Sequence, residues 1–192
     1  VHVGDIKSGS KPCTDQSLAR IAGLFRSQPV PLVYTPGDNE WTDCRREAAG
    51  GYDPRERLSV LRRVFFADPG VLRLEELEAR VTDPDYPENY QFLYGGVLFA
   101  TVHVVGSRNN RVETEPAALA EHEARALANL RHLAAVAERA ESSRPNAVVL
   151  LFHANVGLED RIPLAAFASF RKGLAGLIRR YPGPVLAIHG DT

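Results

Sequence analysis

Apolar runs of strand length recur along this chain, separated by stretches with helical spacing, and each run breaks off at a short polar tip. Such alternation points to the α/β class, because a strand–helix–strand order lays helices against a largely parallel sheet. The first run, Val1–Val3, ends at Gly4-Asp5. Leu18, Ile21, Ala22 and Phe25 then repeat at helical spacing, with Thr14 or Asp15 as the N-cap. Pro31–Thr35 reads as a short buried strand, followed by the turn-rich segment Pro36–Trp41 and a loop to Gly51. Asp53 and Pro54 open a helix as N-cap and first-turn proline, with Leu58, Leu61 and Phe65 on one face. Tyr90–Tyr94, Gly95-Gly96 and Val97–Val105 predict a hairpin around a glycine turn, where a second sheet region begins. Pro116 opens a long helix to about Glu141, and Ala147–Phe152 is the next strand. A helix from about Pro163 to Tyr181 and a strand from Val185 complete the order. Residues 68–88 interrupt it with seven acids, two arginines and prolines at 69, 84 and 87, which predicts an exposed excursion.

At 192 residues the chain is long enough for one α/β domain with a self-supporting core. Twenty-three basic residues against 24 acidic ones leave a net charge of −1, so no global field draws it to nucleic acid or to an anionic membrane. No apolar run approaches the ~20 residues that span a bilayer. Methionine is absent, the chain opens inside a strand, and it stops at Thr192 as the last polar tip starts. The expectation is therefore a single domain over 1–192, truncated at both ends.

The polar tips carry the chemistry. They are Gly4-Asp5, Gly37-Asp38-Asn39, His153-Ala154-Asn155 and His189-Gly190-Asp191. In open α/β sheets, ligands bind outside the carboxyl ends of the strands, so these groups are placed to converge. Carboxylate and amide oxygens with imidazole nitrogens suit hard to borderline divalent metals. Two such ions can clamp the attacking and leaving oxygens of a phosphoryl centre, which points to phosphoester hydrolysis.

In order and spacing these blocks resemble the calcineurin-like metallophosphoesterase superfamily, whose motifs run Asp-x-His, Gly-Asp-x-x, Gly-Asn-His-Asp/Glu, a strand-end His and Gly-His-x-His. The strings Thr35–Cys44 and His2–Gly9 are similar to a bacterial branch of it. The resemblance implies a four-layer α/β/β/α architecture, a β-sandwich flanked by helices, and a centre of two divalent ions such as Mn, Fe or Zn. It makes Asp5 the carboxylate shared by both ions and His153 an imidazole ligand of one. An ungapped match puts Asp38 at the family's metal-binding Asn and Asn39 at the His credited with assisting the leaving group, with metal binding shared between Asp38 and Asn39. Asp191 then stands at the first His of the last block, with His189 as an alternative nitrogen ligand. The opening Asp-x-His would lie before Val1. The implied activity is hydrolysis of a small phosphoester, with Asp5, Asn39 and His153 as catalytic residues. Because Asn39 and Asp191 stand where the family carries His, the alternative is a catalytically impaired binding or scaffold domain.

Each residue also has a plainer reading. Gly4-Asp5 and Pro36-Gly37-Asp38-Asn39 suit ordinary turns. His122 and His132 lie on the long helix as surface or packing residues, while His2 and His103 lie within strands as structural ones. Arg45 and Arg46 follow the Asp38 loop and either grip a substrate phosphate or belong to a solvated face. Ser107-Arg108-Asn109-Asn110-Arg111 offers a similar pair of arginines. There is no basic stripe with interleaved aromatics for nucleic acid, no P-loop and no serine elbow. Cys13 and Cys44 follow neighbouring strand ends, which predicts a disulfide at the rim of the site and a periplasmic or secreted protein; two free thiols in a cytoplasmic protein are the alternative.

Overall fold

The computed structural model describes residues 1–158 and 164–191. Helix α1 (Asp15–Arg26) is capped by the Thr14 hydroxyl, which accepts from the Ser17 N–H, and α2 (Pro54–Phe65) by the Asp53 carboxylate. The one-turn helix α3 (Pro69–Leu72) follows. Strands β1 (Arg80–Val81), β2 (Tyr90–Tyr94) and β3 (Val97–Thr101) are successive antiparallel neighbours. Gly95 and Gly96 join β2 to β3 with φ of 57° and 78°, the left-handed pair that a two-residue hairpin turn needs. A single turn, α4 (Gly106–Asn109), and the 28-residue α5 (Pro116–Ser143) lead to β4 (Ala147–Phe152). Helix α6 (Ala168–Arg180) leads to β5 (Val185–His189). Strands β3, β4 and β5 are parallel, so the described residues form one open mixed sheet in the order β1-β2-β3-β4-β5.

Period-two alternation sorts the sheet's side chains. Val148, Leu150 and Phe152 of β4 pack with Leu133, Val136, Phe170 and Leu174 of α5 and α6. Val149 and Leu151 face the other way, against Val33, Tyr90 and Phe92. A third cluster joins α1 and α2 through Leu18, Tyr34, Trp41, Leu61 and Phe65. On β5 the second face is bare, with Leu186 and Ile188 exposed.

Several expectations are corrected. Pro31–Thr35 does not enter the sheet: its pairing is a single parallel bridge, His2 to Tyr34. The reason is that the Tyr90 phenol occupies the neighbouring position, accepting from Tyr34 N–H (2.8 Å) and donating to Tyr34 C=O (3.0 Å). Strand β3 stops at Thr101 rather than Val105, because side chains capture the backbone of His103: Asn89 accepts from its N–H and Asn129 donates to its C=O. The acidic segment is not wholly exposed, since Val71 and Leu72 are core residues and Glu88 is fully buried. His122 and His132 are buried packing residues, hydrogen-bonded to the Asn109 carbonyl and the Thr82 hydroxyl. The loop after Trp41 contains two short 3-10 turns. The expected helix start at Pro163 lies outside the described residues; the described part begins with a 3-10 turn at Ala165–Phe167.

Cys13 and Cys44 form the expected disulfide, with Cα atoms 5.7 Å apart. It ties the loop after Asp5 to the loop after Asp38, and both cysteines are fully buried. Closing 31 positions contributes about 3–4 kcal/mol in the chain-entropy picture. The double variant Cys13→Ser/Cys44→Ser is accordingly expected to melt roughly 7–14 °C lower by calorimetry. Alkylation of the denatured, unreduced protein should leave both cysteines unmodified in the mass spectrum.

Glu88 is the other fixed point. Its carboxylate takes Arg62 at 2.6 and 3.1 Å and His103 Nδ1 at 2.7 Å. Burial alone would raise its pKa, but the facing His103 and Arg62 outweigh this and hold it at about 2. A carboxylate depressed below its unfolded value of ~4.3 stabilises the fold above that pH, and the gain fades as pH falls toward 2. Glu88→Gln should therefore flatten the loss of stability between pH 4.5 and 2 in urea titrations. Arg62→Ala, which strands the buried charge, should cost about 3 kcal/mol at pH 7.

Candidate metal centre

His153 follows β4 and continues its alternation, so it projects from the face opposite Phe152, toward the N-terminal segment. There its Nδ1 lies 2.8 Å from the Val3 carbonyl. A carbonyl only accepts, so Nδ1 carries the proton and Nε2 is left facing away from it. Nε2 is 3.4 Å from Asp5 Oδ1 and 3.4 Å from Asp38 Oδ1, is buried, and makes a hydrogen bond with neither. One ligand atom from each of Asp5, Asp38 and His153 lies within 4.8 Å of the others.

Backbone geometry brings the two aspartates together. Gly4 (φ 93°) and Asp5 (φ 59°) are both left-handed. A Cβ on Gly4 would meet the Cα and N of Gly37 at 2.5 Å, so the two Gly-Asp turns touch backbone to backbone. Asp5 Oδ1 accepts from the Asn39 N–H at 3.4 Å. Asp38 Oδ2 accepts from the Ser107 hydroxyl at 2.9 Å.

More carboxylates surround this pair. Glu40 is fully buried: Oε1 accepts from Ile6 N–H (3.1 Å) and the Tyr34 hydroxyl (3.2 Å), and Oε2 has no partner. Asp43 is buried with Oδ1 2.5 Å from Ser107 Oγ and Oδ2 2.8 Å from Arg46 Nη1. The crowding shows in the acidities. Burial, and then the Glu40 charge, push Asp5 up to about 7 against the pull of His153. Burial raises Glu40 and also Asp43, which feels Asp38 as well. Asp38 is held low despite its burial, because His153 and the Ser107 hydroxyl stabilise its charge. For His153, burial opposes protonation, yet the facing Asp38 carboxylate, the Val3 carbonyl and Asp5 lift it to about 9.

The sequence candidates divide accordingly. Asp5, Asp38 and His153 meet. Asp191 comes close, because its Oδ2 and Asp38 Oδ2 both lie 2.5 Å from the place a Cβ on Gly106 would take. Asn39 contributes its backbone N–H, while its side-chain oxygen presses on Gly9. His189 is not brought to the cluster: it pairs with Phe152 across β4 and β5, shares that residue's face, and stacks on its ring at 5.6 Å. Arg46 stands at the rim, more than half exposed, between Asp43 and Ser107. Arg45 turns away to the Thr42 carbonyl, Asn110 and Glu115. Of the arginines after the hairpin, Arg111 pairs with Glu113. His2 packs against Phe25 and Tyr34, and His103 belongs to the Glu88 network.

Glu40, Asp43 and Ser107 lie within segments the sequence singles out, but it assigns none of them a role in the site. The first two share the Asp38 loop, so their acidity was the available signal; for Ser107 nothing short of the fold announces its contact.

The donor set fits a divalent cation. Two carboxylate oxygens and an imidazole nitrogen, which would release its Nε2 proton to ligate, are ordinary donors to Mn, Fe or Zn. The buried Nε2 without a hydrogen bond, its tautomer fixed from behind, is the arrangement that ligating histidines adopt. Comparison with protein-family models, with curated proteins and with solved structures returns no match to this chain.

Proposed function

We propose that this protein is a metal-dependent phosphoester hydrolase of the calcineurin-like metallophosphoesterase kind. The observation that carries the reading is the meeting of Asp5, Asp38 and His153, with His153 Nε2 buried, unpartnered and flanked by two carboxylates. Asp5, Asp38 and His153 would hold one ion, and Asp191, close to Asp38, would contribute to a second that shares Asp5. Bound divalent ions would supply Lewis acidity to a phosphoryl group and acidify water into a nucleophile. The chain's own residues have distinct tasks. The Val3 carbonyl orients the imidazole, and the Asn39 N–H orients Asp5. Arg46, tethered by Asp43 and open to solvent, would take a phosphate oxygen of the ester.

The single mixed sheet with helices on one face, together with the His2–Tyr34 bridge on the other, is compatible with the four-layer sandwich, which we include in the proposal. The disulfide supports a periplasmic or secreted location. A net charge of −1 gives no support to a nucleic-acid substrate. No described helix is long and apolar enough to cross a membrane.

One observation favours the scaffold reading instead. Asn39 has no proton to give as an acid, and its side chain is packed against Gly9 rather than turned to the cluster.

With added Mn, Zn or Fe, Asp5→Asn and His153→Ala are each expected to lower hydrolysis of an aryl phosphate by at least ~100-fold, with near wild-type turnover in both excluding the site. Asn39→His is expected to retain activity and to favour alkyl over nitrophenyl phosphates, since it adds an acid for the poorer leaving group. Metal binding without hydrolysis of any phosphoester in the wild type would establish the scaffold.

A further inference from the structure

Four consecutive residues in the 105–110 turn are left-handed: Ser107, Arg108, Asn109 and Asn110 have φ of 47°, 56°, 54° and 59°. Left-handed backbone is disfavoured for a non-glycine residue, less so for Asn, so such a run persists only where its surroundings impose it. Arg125 on α5 does so. Its guanidinium is fully buried, with Nη1 donating to the His103 carbonyl (3.0 Å) and to Asn109 Oδ1 (2.5 Å). Nη2 donates to the Asn109 carbonyl at 3.0 Å, and Glu121 answers the charge at 2.7 Å. The same guanidinium lies 5.1 Å over the ring of Trp41, the neighbour of Glu40. One side chain thus grips both the turn and the Asp38 loop.

The result is the placement of Ser107. Its oxygen sits 2.9 Å from Asp38 Oδ2 and 2.5 Å from Asp43 Oδ1, so its single proton is shared between the two carboxylates and ties Asp38 to Asp43. Asp38 presents its other oxygen, Oδ1, to His153. We propose that Ser107 is a positioning residue of the metal centre: by fixing Asp38 through Oδ2, it aims Oδ1 at the position shared with Asp5 and His153. This rests on the reading of Asp5, Asp38 and His153 as ligands. Hydrogen-bond partners of metal ligands commonly govern affinity by 10–100-fold.

Ser107 is exposed, so substitution there leaves the core untouched. Ser107→Ala removes the hydroxyl and keeps the backbone strain. Ser107→Gly removes the hydroxyl and relieves the strain. The Mn2+ dissociation constants of the full chain and both variants, read by paramagnetic relaxation of water protons, separate the two roles, with melting temperatures measured alongside. Weakening by about 10-fold or more in both variants is expected, with Ser107→Gly melting no lower than Ser107→Ala. Wild-type affinity in both variants overturns the proposal. So does affinity lost in Ser107→Ala but kept in Ser107→Gly, which would assign Ser107 to backbone geometry alone. Failure of the wild-type chain to bind Mn2+ overturns the ligand reading itself, and this proposal with it.

Discussion

Asp5, Asp38, Glu40 and Asp43 crowd one small site; Asp38, Glu40 and Asp43 are buried and Asp5 is partly desolvated, its side chain 36% exposed. Carboxylates this close raise one another's pKa unless positive charge stands between them. The positive charge facing them is the His153 imidazole between Asp5 and Asp38, Arg46 on Asp43, and the Lys7 ammonium, which feels Glu40, Asp43 and Asp5. Glu40 is compensated by neutral donors, Ile6 N–H and the Tyr34 hydroxyl, on one oxygen only. A proton on His153 Nε2 relieves part of this repulsion, and a divalent ion in place of that proton would relieve more. The neighbouring structure is arranged around that surplus of negative charge.

The arrangement is made mostly by backbone. Two Gly-Asp turns approach too closely for any side chain at Gly4, which brings Asp5 and Asp38 to one point from segments that share a single β-bridge. The His153–Val3 hydrogen bond closes the third side from β4. The disulfide lies directly beneath, its two sulfurs 3.6 and 3.7 Å from the Asn39 carbonyl oxygen. A covalent link, a backbone contact and an imidazole therefore hold the same few residues, leaving the side chains little freedom to spread apart.

The alternation of apolar runs with helical spacing made α1, α2, the β2–β3 hairpin, α5, β4 and β5 legible, because each buries a face whose period shows in the residues. The polar tips likewise revealed Asp5, Asp38 and His153. What stayed hidden depends on side-chain capture of backbone. Pro31–Thr35 has the composition of a strand, and only the Tyr90 phenol explains why it is not one. His189 and Asp191 looked equivalent at the end of one strand; alternation sends His189 to the Phe152 side, while the left-handed Asp191 lies beside Asp38. Arg45 and Arg46 are adjacent in sequence and diverge because Glu115 and Asn110 claim one and Asp43 the other.

The hydrogen bond from His153 to Val3 spans 150 positions, and the ion-pair contact of His153 with Asp5 closes nearly the same loop. Contacts of such sequence separation form late, after the entropy of long loop closure has been overcome, and parallel pairing of β3 with β4 adds its own slow crossover through α5. During synthesis, a chain that has emerged only as far as α5 carries Asp5 and Asp38 but not the imidazole. On the proposed reading the full ligand set would exist only once the sheet has assembled, so an ion would act on this protein by slowing its unfolding rather than by guiding its folding.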